Sequence, residues 1–265
     1  MNLEVKGPKV YLELPFELPD SSIFTMKNLI TQTTVSLLAV TVLLIVVALI
    51  ATRSLSKRPG GLQVITEKLV NMLYGLVEGT MGKHNMKFAP YIGTIFLSSI
   101  CGTLIGMTQL FRSTTADLSV TAAWALVTTG MVWYNNIKNF GFGTWLKGFT
   151  EPIVVMTPMN IVSEIANPIS MAFRHFGNVA GGSVLTALIY GALTAASSAL
   201  FSWLPGIIGE IPFLTAGIPA ALSIYFDLFS GFVQALVFSL LTMIYVGGAC
   251  PPPEELPKKK KKGVK

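Results

Sequence analysis

Arg174 stands in the segment Pro168-Ile-Ser-Met-Ala-Phe-Arg174-His-Phe-Gly-Asn178-Val-Ala-Gly-Gly182, and no further charge follows until Glu210. A cation carried into hydrocarbon costs about 2.5–3.5 kcal/mol on insertion scales and roughly 10–17 kcal/mol in simulations of an isolated helix. A guanidinium cannot escape that cost by shedding its proton, so an anion or a water-filled cavity has to answer it. Asn178, four residues on, shares its helical face. Asp227 and Gln234 share a face of a later apolar run, roughly 10 Å apart along a helix axis. If the two runs are antiparallel with Gln234 level with Arg174, Asp227 falls level with residues 180–183, and Glu164 lies on the opposite side. Ionisable groups then flank one fixed cation along a line, which suits the handing on of an ion.

Each of these residues has a plainer reading beside that one. Asp227 could neutralise Arg174 in a salt bridge, and Gln234 could be interhelical glue. Glu164 could lie at headgroup level, and Asp117 at an outer interface. His175 faces away from Arg174 and reads as packing. Gly177 and Gly181 form a small-xxx-small pair, which either packs helices or leaves room for another subunit beside the arginine.

The elements that must carry these residues are membrane helices. Of the 265 residues, 52% are hydrophobic and 12% charged, against about 25% charged in a soluble domain. The expected fold is an all-α integral membrane protein forming one bundle. The net charge of +6 is spread between apolar runs and gives no footprint for nucleic acid. Two cysteines, Cys101 and Cys250, make neither a disulfide framework nor a metal site. His84 and His175 are too far apart in sequence for a local metal motif. No P-loop, metal cluster or catalytic triad is visible, so no cofactor is expected and catalysis by this chain alone is not.

A span needs about 20 apolar residues. Five are expected, over about 28–52, 89–111, 118–134, 160–202 and 212–248, with an amphipathic helix over about 62–82 lying in the interface. Residues 1–27 form an external segment without a cleavable signal, 28–250 a single membrane domain, and 251–265 a cytoplasmic Pro/Lys-rich tail. Arg53, Lys57, Arg58, Lys68, Lys83 and Lys87 place the loop after the first span inside, as do Lys138 and Lys147 for the third connection. An outside amino terminus, five spans and an inside Lys258–Lys262 tail are mutually consistent. The last two spans, taken as continuous helix, would be roughly 50–60 Å long against a core of about 30 Å. They are expected to tilt strongly as an antiparallel hairpin, with Pro168 a candidate kink.

The ordered segments Lys147-Gly-Phe-Thr-Glu-Pro152, Pro158-Met-Asn-Ile-Val-Ser-Glu164, Asn167-Pro-Ile-Ser, Phe173-Arg-His-Phe-Gly-Asn178, Phe232-Val-Gln-Ala-Leu-Val-Phe238 and Leu240-Leu-Thr-Met-Ile-Tyr245 closely resemble subunit a of F-type rotary ATP synthases of bacterial type. The resemblance covers about residues 60–250. It implies a stator subunit of a bacterial plasma membrane, facing a ring of c subunits and joined to peripheral-stalk b subunits and lipid. Two offset half-channels would carry H+ or Na+ to and from the ring carboxylates. On this resemblance Arg174 is the essential stator cation, Asn178 and Gln234 its polar neighbours. The family's outer Glu/His pair falls on Ser183 and Asp227, so this chain keeps one carboxylate and lacks the histidine.

Two other classes remain against this reading. A secondary transporter tends to show internal repeats and matched helix breaks, which this sequence lacks. A purely structural anchor would tolerate neutralisation of Arg174.

Overall fold

The structure is a computed structural model, and it describes residues 10–13, 28–53, 55, 57, 59–108, 111–151, 153–201 and 224–254. Helices dominate it, with one addition at the amino-terminal side. Strands β1 (Val10–Glu13) and β2 (Asn28–Thr31) pair antiparallel. The sequence predicts a span from residue 28 in an all-α fold, whereas helix α1 runs over Gln32–Arg53. Thr31 makes the change: its Oγ1 accepts the Thr34 N–H at 3.3 Å, while its own N–H reaches Thr34 Oγ1 at 3.5 Å. This reciprocal cap satisfies first-turn donors and frees Asn28–Thr31 for the strand.

Helix α2 (Gly61–Met81) ends where Gly82 takes φ +79°, a conformation that favours glycine. A 3-10 turn over Lys83–Phe88 then leads into α3 (Ala89–Met107). Helix α4 covers Leu118–Phe140 and stops at Gly141, with φ +87° and its N–H on the Ile137 carbonyl at 2.9 Å. The short α5 (Phe142–Gly148) is followed by α6 (Thr157–Phe201), 45 residues unbroken through Pro168. A π-helical turn over Ile224–Ser230 opens directly into α7 (Gly231–Gly248). At ~68 Å, α6 exceeds twice the hydrocarbon thickness. The expected parts of the last two spans at 202 and 212–223, and the tail from 255, lie outside the described residues.

Among the described residues, four helical stretches are long and apolar enough to cross a membrane: Gln32–Arg53, Lys83–Met107, Val154–Leu200 and Leu228–Gly248. The predicted span over 118–134 is not among them. Helix α4 has the length, but Thr121, Thr128, Thr129, Asn135, Asn136, Lys138 and Asn139 dilute its hydropathy.

The chain divides into two compact units. In the unit made of Met1–Ala48, Leu97–Thr121 and Phe173–Leu236, close packing depends on glycines. A Cβ at Gly106 would come within 3.1 Å of the Ser113 backbone, and one at Gly102 would collide with the Thr114 hydroxyl. A Cβ at Gly231 would stand 2.6 Å from Thr103 Cγ2. The turn over Thr114–Ala116 and the start of α7 therefore both lie directly on α3.

The other unit holds Leu49–Phe96, Ala122–Ala172 and Val237–Lys265. Its apolar core joins Val77 and Met81 of α2, Ala89 and Ile92 of α3, and Met243 and Val246 of α7. Side chains satisfy the carbonyls beyond α7. Asn85 donates to the Cys250 carbonyl at 2.8 Å, and Asn139 to the Ala249 carbonyl at 2.8 Å. His84 Nε2 also lies 2.9 Å from the Cys250 carbonyl, so both helix-end acceptors are satisfied.

Candidate ion-path site

Arg174 is solvent-exposed on α6, although the surrounding sequence is apolar. Phe173 is 54% exposed beside it, and Gly177 and Gly181 are exposed further along the helix. A shallow groove of about 460 Å³ follows, floored by Gly177 and Gly181 and walled by Val184, Leu185 and Leu188. Arg174 forms no ion pair or hydrogen bond with a described residue. The Asp227 side chain lies outside the described residues, and its backbone sits in the π-helical turn.

Asn178 is engaged elsewhere. Its Nδ2 donates to Ser230 Oγ at 2.6 Å, and that hydroxyl donates back to Oδ1 at 2.9 Å. One turn along α7, the Gln234 side chain is 7% exposed, and its amide nitrogen has no partner among the described residues. The Gln234 backbone meets His175, next to Arg174. Contacts of 178 with 230 and of 175 with 234 run in the order that antiparallel neighbours require.

His175 is fully buried, and its Nε2 lies 2.9 Å from Ser99 Oγ. From Ser99 the hydroxyls continue along α3 and its turn. Thr103 bonds the Ser99 carbonyl at 3.0 Å and meets Thr115 Oγ1 at 3.2 Å, which meets Ser113 Oγ at 3.0 Å. Two residues further, Asp117 caps α4: its Oδ1 accepts the Ser119 N–H at 2.9 Å. Ser183 is exposed and turns its hydroxyl back onto the Ala180 carbonyl at 2.7 Å.

Glu164 belongs to the other unit. Its carboxylate accepts the indole N–H of Trp133 at 2.6 Å and lines a pocket of about 410 Å³ with Asn136, Thr144, Asn160 and Ser163. Sequence reasoning missed Ser230, Ser99 and Trp133. Ser230 was within reach of it, because Asp227, Ser230 and Gln234 stand at i, i+3 and i+7 on one face. Nothing local links Ser99 to His175 or Trp133 to Glu164.

A family model described as "ATP synthase A chain" matches residues 33–247. The chain belongs to that family. It is 31% identical over 276 residues to the sodium ion specific ATP synthase subunit a of Propionigenium modestum, covering 95% of this chain and 88% of that protein. It is 34% identical over 214 residues to ATP synthase subunit a of Trichlorobacter lovleyi (79% and 83% covered), and 30% identical over 233 residues to that of Bacillus subtilis (84% and 91% covered). As a member of the ATP synthase A chain family it is a multi-pass membrane protein of bacterial type. It serves the ion-translocating Fo part of the F1Fo complex and is not an enzyme by itself.

Proposed function

We propose that this chain is the stator half of the ion path, with Arg174 as the fixed charge past which the carboxylates of a c-subunit ring move. The observation that carries this reading is an arginine exposed on a face of small residues, without a partner among the described residues. Gly177 and Gly181 let another helix come close to it, and the apolar groove beyond them suits the outer surface of a ring. The last two helices form a tilted antiparallel hairpin along that ring, and b subunits and lipid hold other faces.

A unit charge pair 4 Å apart at an effective dielectric near 20 interacts by about 4 kcal/mol. That energy changes a protonation equilibrium roughly a thousandfold. A ring carboxyl raised by burial therefore releases its ion on reaching Arg174 and reloads after leaving it. The same charge blocks a cation from crossing directly between the two half-channels. Asp117, Asp227 and Ser183 line the outer half-channel, Asn178 and Gln234 border Arg174, and Glu164 stands on the inner side. The amino terminus is outside and the Lys tail cytoplasmic.

Both H+ and Na+ belong in the test, since one relative is named for sodium. The test is ATP-driven ion pumping by the purified complex in liposomes. With Arg174→Ala, pumping of either ion is expected to vanish while ATP hydrolysis by the soluble sector remains. Undiminished pumping would mean that the arginine is structural.

A further inference from the structure

Trp133 lies close to the end of the predicted third span, where a belt tryptophan normally points its N–H at headgroups or water. Here the N–H ends on the carboxylate of another helix. Its distance to Glu164 Oε1, 2.6 Å, is just below the usual range of about 2.7–2.9 Å for charge-assisted N–H bonds. The indole is itself fixed. Its ring stands 6.3 Å from that of Trp145, which packs against Phe142 at 5.9 Å and Phe149 at 5.1 Å.

We propose that Trp133 is the positioning residue for Glu164, holding one carboxylate oxygen so that the other faces the polar pocket and exchanges the coupling ion with it. This rests on the ion-path reading above, within which Glu164 serves the inner side.

An indole is a donor only, while a carboxylate offers about four acceptor sites. Trp133 therefore occupies one site without competing for a cation or proton at the rest. Asn160, one turn earlier on α6, does not fill the remaining sites, because its Nδ2 donates to the carbonyls of Phe149 at 2.8 Å and Glu151 at 3.1 Å. Among the described residues the Trp133 bond is the only one made by the Glu164 carboxylate. Pro168 adds to the polarity here, since it cannot donate to the Glu164 main-chain carbonyl. At about 30 Å³ per water, the pocket of about 410 Å³ holds on the order of ten waters. A hydrated ion can stand there against an oxygen whose direction is set. Without the indole, Glu164 would swing through its rotamers and present the same charge in no fixed place.

The experiment uses the assembled complex in liposomes with F1 facing the medium, titrating pH and, separately, Na+ on that side. Trp133→Phe keeps an aromatic ring against Trp145 and removes the N–H. It should raise the half-saturating concentration of the coupling ion roughly three- to tenfold, with little change in the saturating rate. In a Glu164→Gln background, adding Trp133→Phe should change nothing further, because the indole acts through the carboxylate. Multiplying effects, or Trp133→Phe indistinguishable from wild type, would overturn the inference. If Trp133→Phe fails to assemble, ultraviolet resonance Raman of a Glu164→Ala complex, which removes the acceptor, serves instead. One indole should lose its strong hydrogen-bond signature, and an unchanged spectrum would overturn the proposal. Arg174→Ala run in parallel separates the two failures. Pumping that survives it removes the ion-path reading, whereas pumping that it abolishes leaves any Trp133 failure confined to this inference.

Discussion

The amide of Asn178 is held by Ser230 rather than by Arg174, and among the described residues the guanidinium has no partner. Two hydrogen bonds with the Ser230 hydroxyl, at 2.6 and 2.9 Å, and a longer one to its carbonyl at 3.3 Å fix the plane of the amide against the last residue of the π-helical turn. Single π turns recur at functional sites because they re-aim the side chains around them. Ser230→Ala would cost about 1–2 kcal/mol for the bonds lost and would leave Asn178 only its weaker bond to the residue-230 carbonyl at 3.3 Å, so that the amide can rotate towards Arg174. The expected result is a several-fold fall in ATP-driven pumping with ATP hydrolysis unchanged, and Ser230→Thr, which retains the hydroxyl, should recover most of it. Wild-type pumping by Ser230→Ala would show that the amide's orientation is irrelevant. Arg174, Asn178 and Gln234 stand out in the sequence as candidates, because a charge or amide inside an apolar run announces itself. Ser99, Ser230 and Trp133 do not, because serine and tryptophan are ordinary residues in membrane helices. Only the fold shows which carboxylate, imidazole or amide they meet.

At the level of elements, the sequence gives the helices well and their ends less well. Apolar length finds α1, α3 and α6, and amphipathic spacing finds α2. The strand at Asn28–Thr31 escapes such a reading, since its partner Val10–Glu13 lies in a segment without hydropathic pattern. The close approaches escape it too. Gly102 and Gly106 look like any small residues in a membrane helix, yet the turn after α3 rests on them. Gly106→Ala places a Cβ within 3.1 Å of the Ser113 backbone, and backbone cannot rotate away as a side chain can. Overpacking of this kind costs about 1–3 kcal/mol. The measurable outcome is a lower melting temperature of the purified complex, or less of the chain in assembled complexes. Gly130 on α4 is the control, because a Cβ there meets nothing within 4 Å. Gly130→Ala should be neutral, or stabilising by up to about 1 kcal/mol through helix propensity. Equal losses in the two variants would mean that flexibility, and not close contact, is what these glycines supply.

For the whole molecule, the distribution of lysine and arginine sets a direction that the fold by itself does not. The connection between α1 and α3 and the stretch around Lys138 and Lys147 carry the basic residues, and the orientation proposed above puts them and the carboxyl terminus in the cytoplasm. In that orientation Cys250, just beyond α7, is on the cytoplasmic side, and its reactivity can be read from its surroundings. It is 4% exposed. Burial pushes its thiol above the ordinary range, against the opposing pull of Lys87, a hydrogen bond with Asn139, and Lys138. The thiolate is the reacting form, so a raised pKa leaves little of it near pH 7, and labelling should accelerate as the pH rises. In intact cells an impermeant maleimide should label Ser22→Cys and spare both Lys260→Cys and Cys250. In inside-out vesicles it should label Lys260→Cys quickly and Cys250 slowly. The difference between those two cysteines should narrow as the pH is raised towards 9. Labelling of Lys260→Cys in intact cells would reverse the orientation. The inner and outer assignments of Glu164 and Asp227 would then exchange, while the role of Arg174 between them would stand.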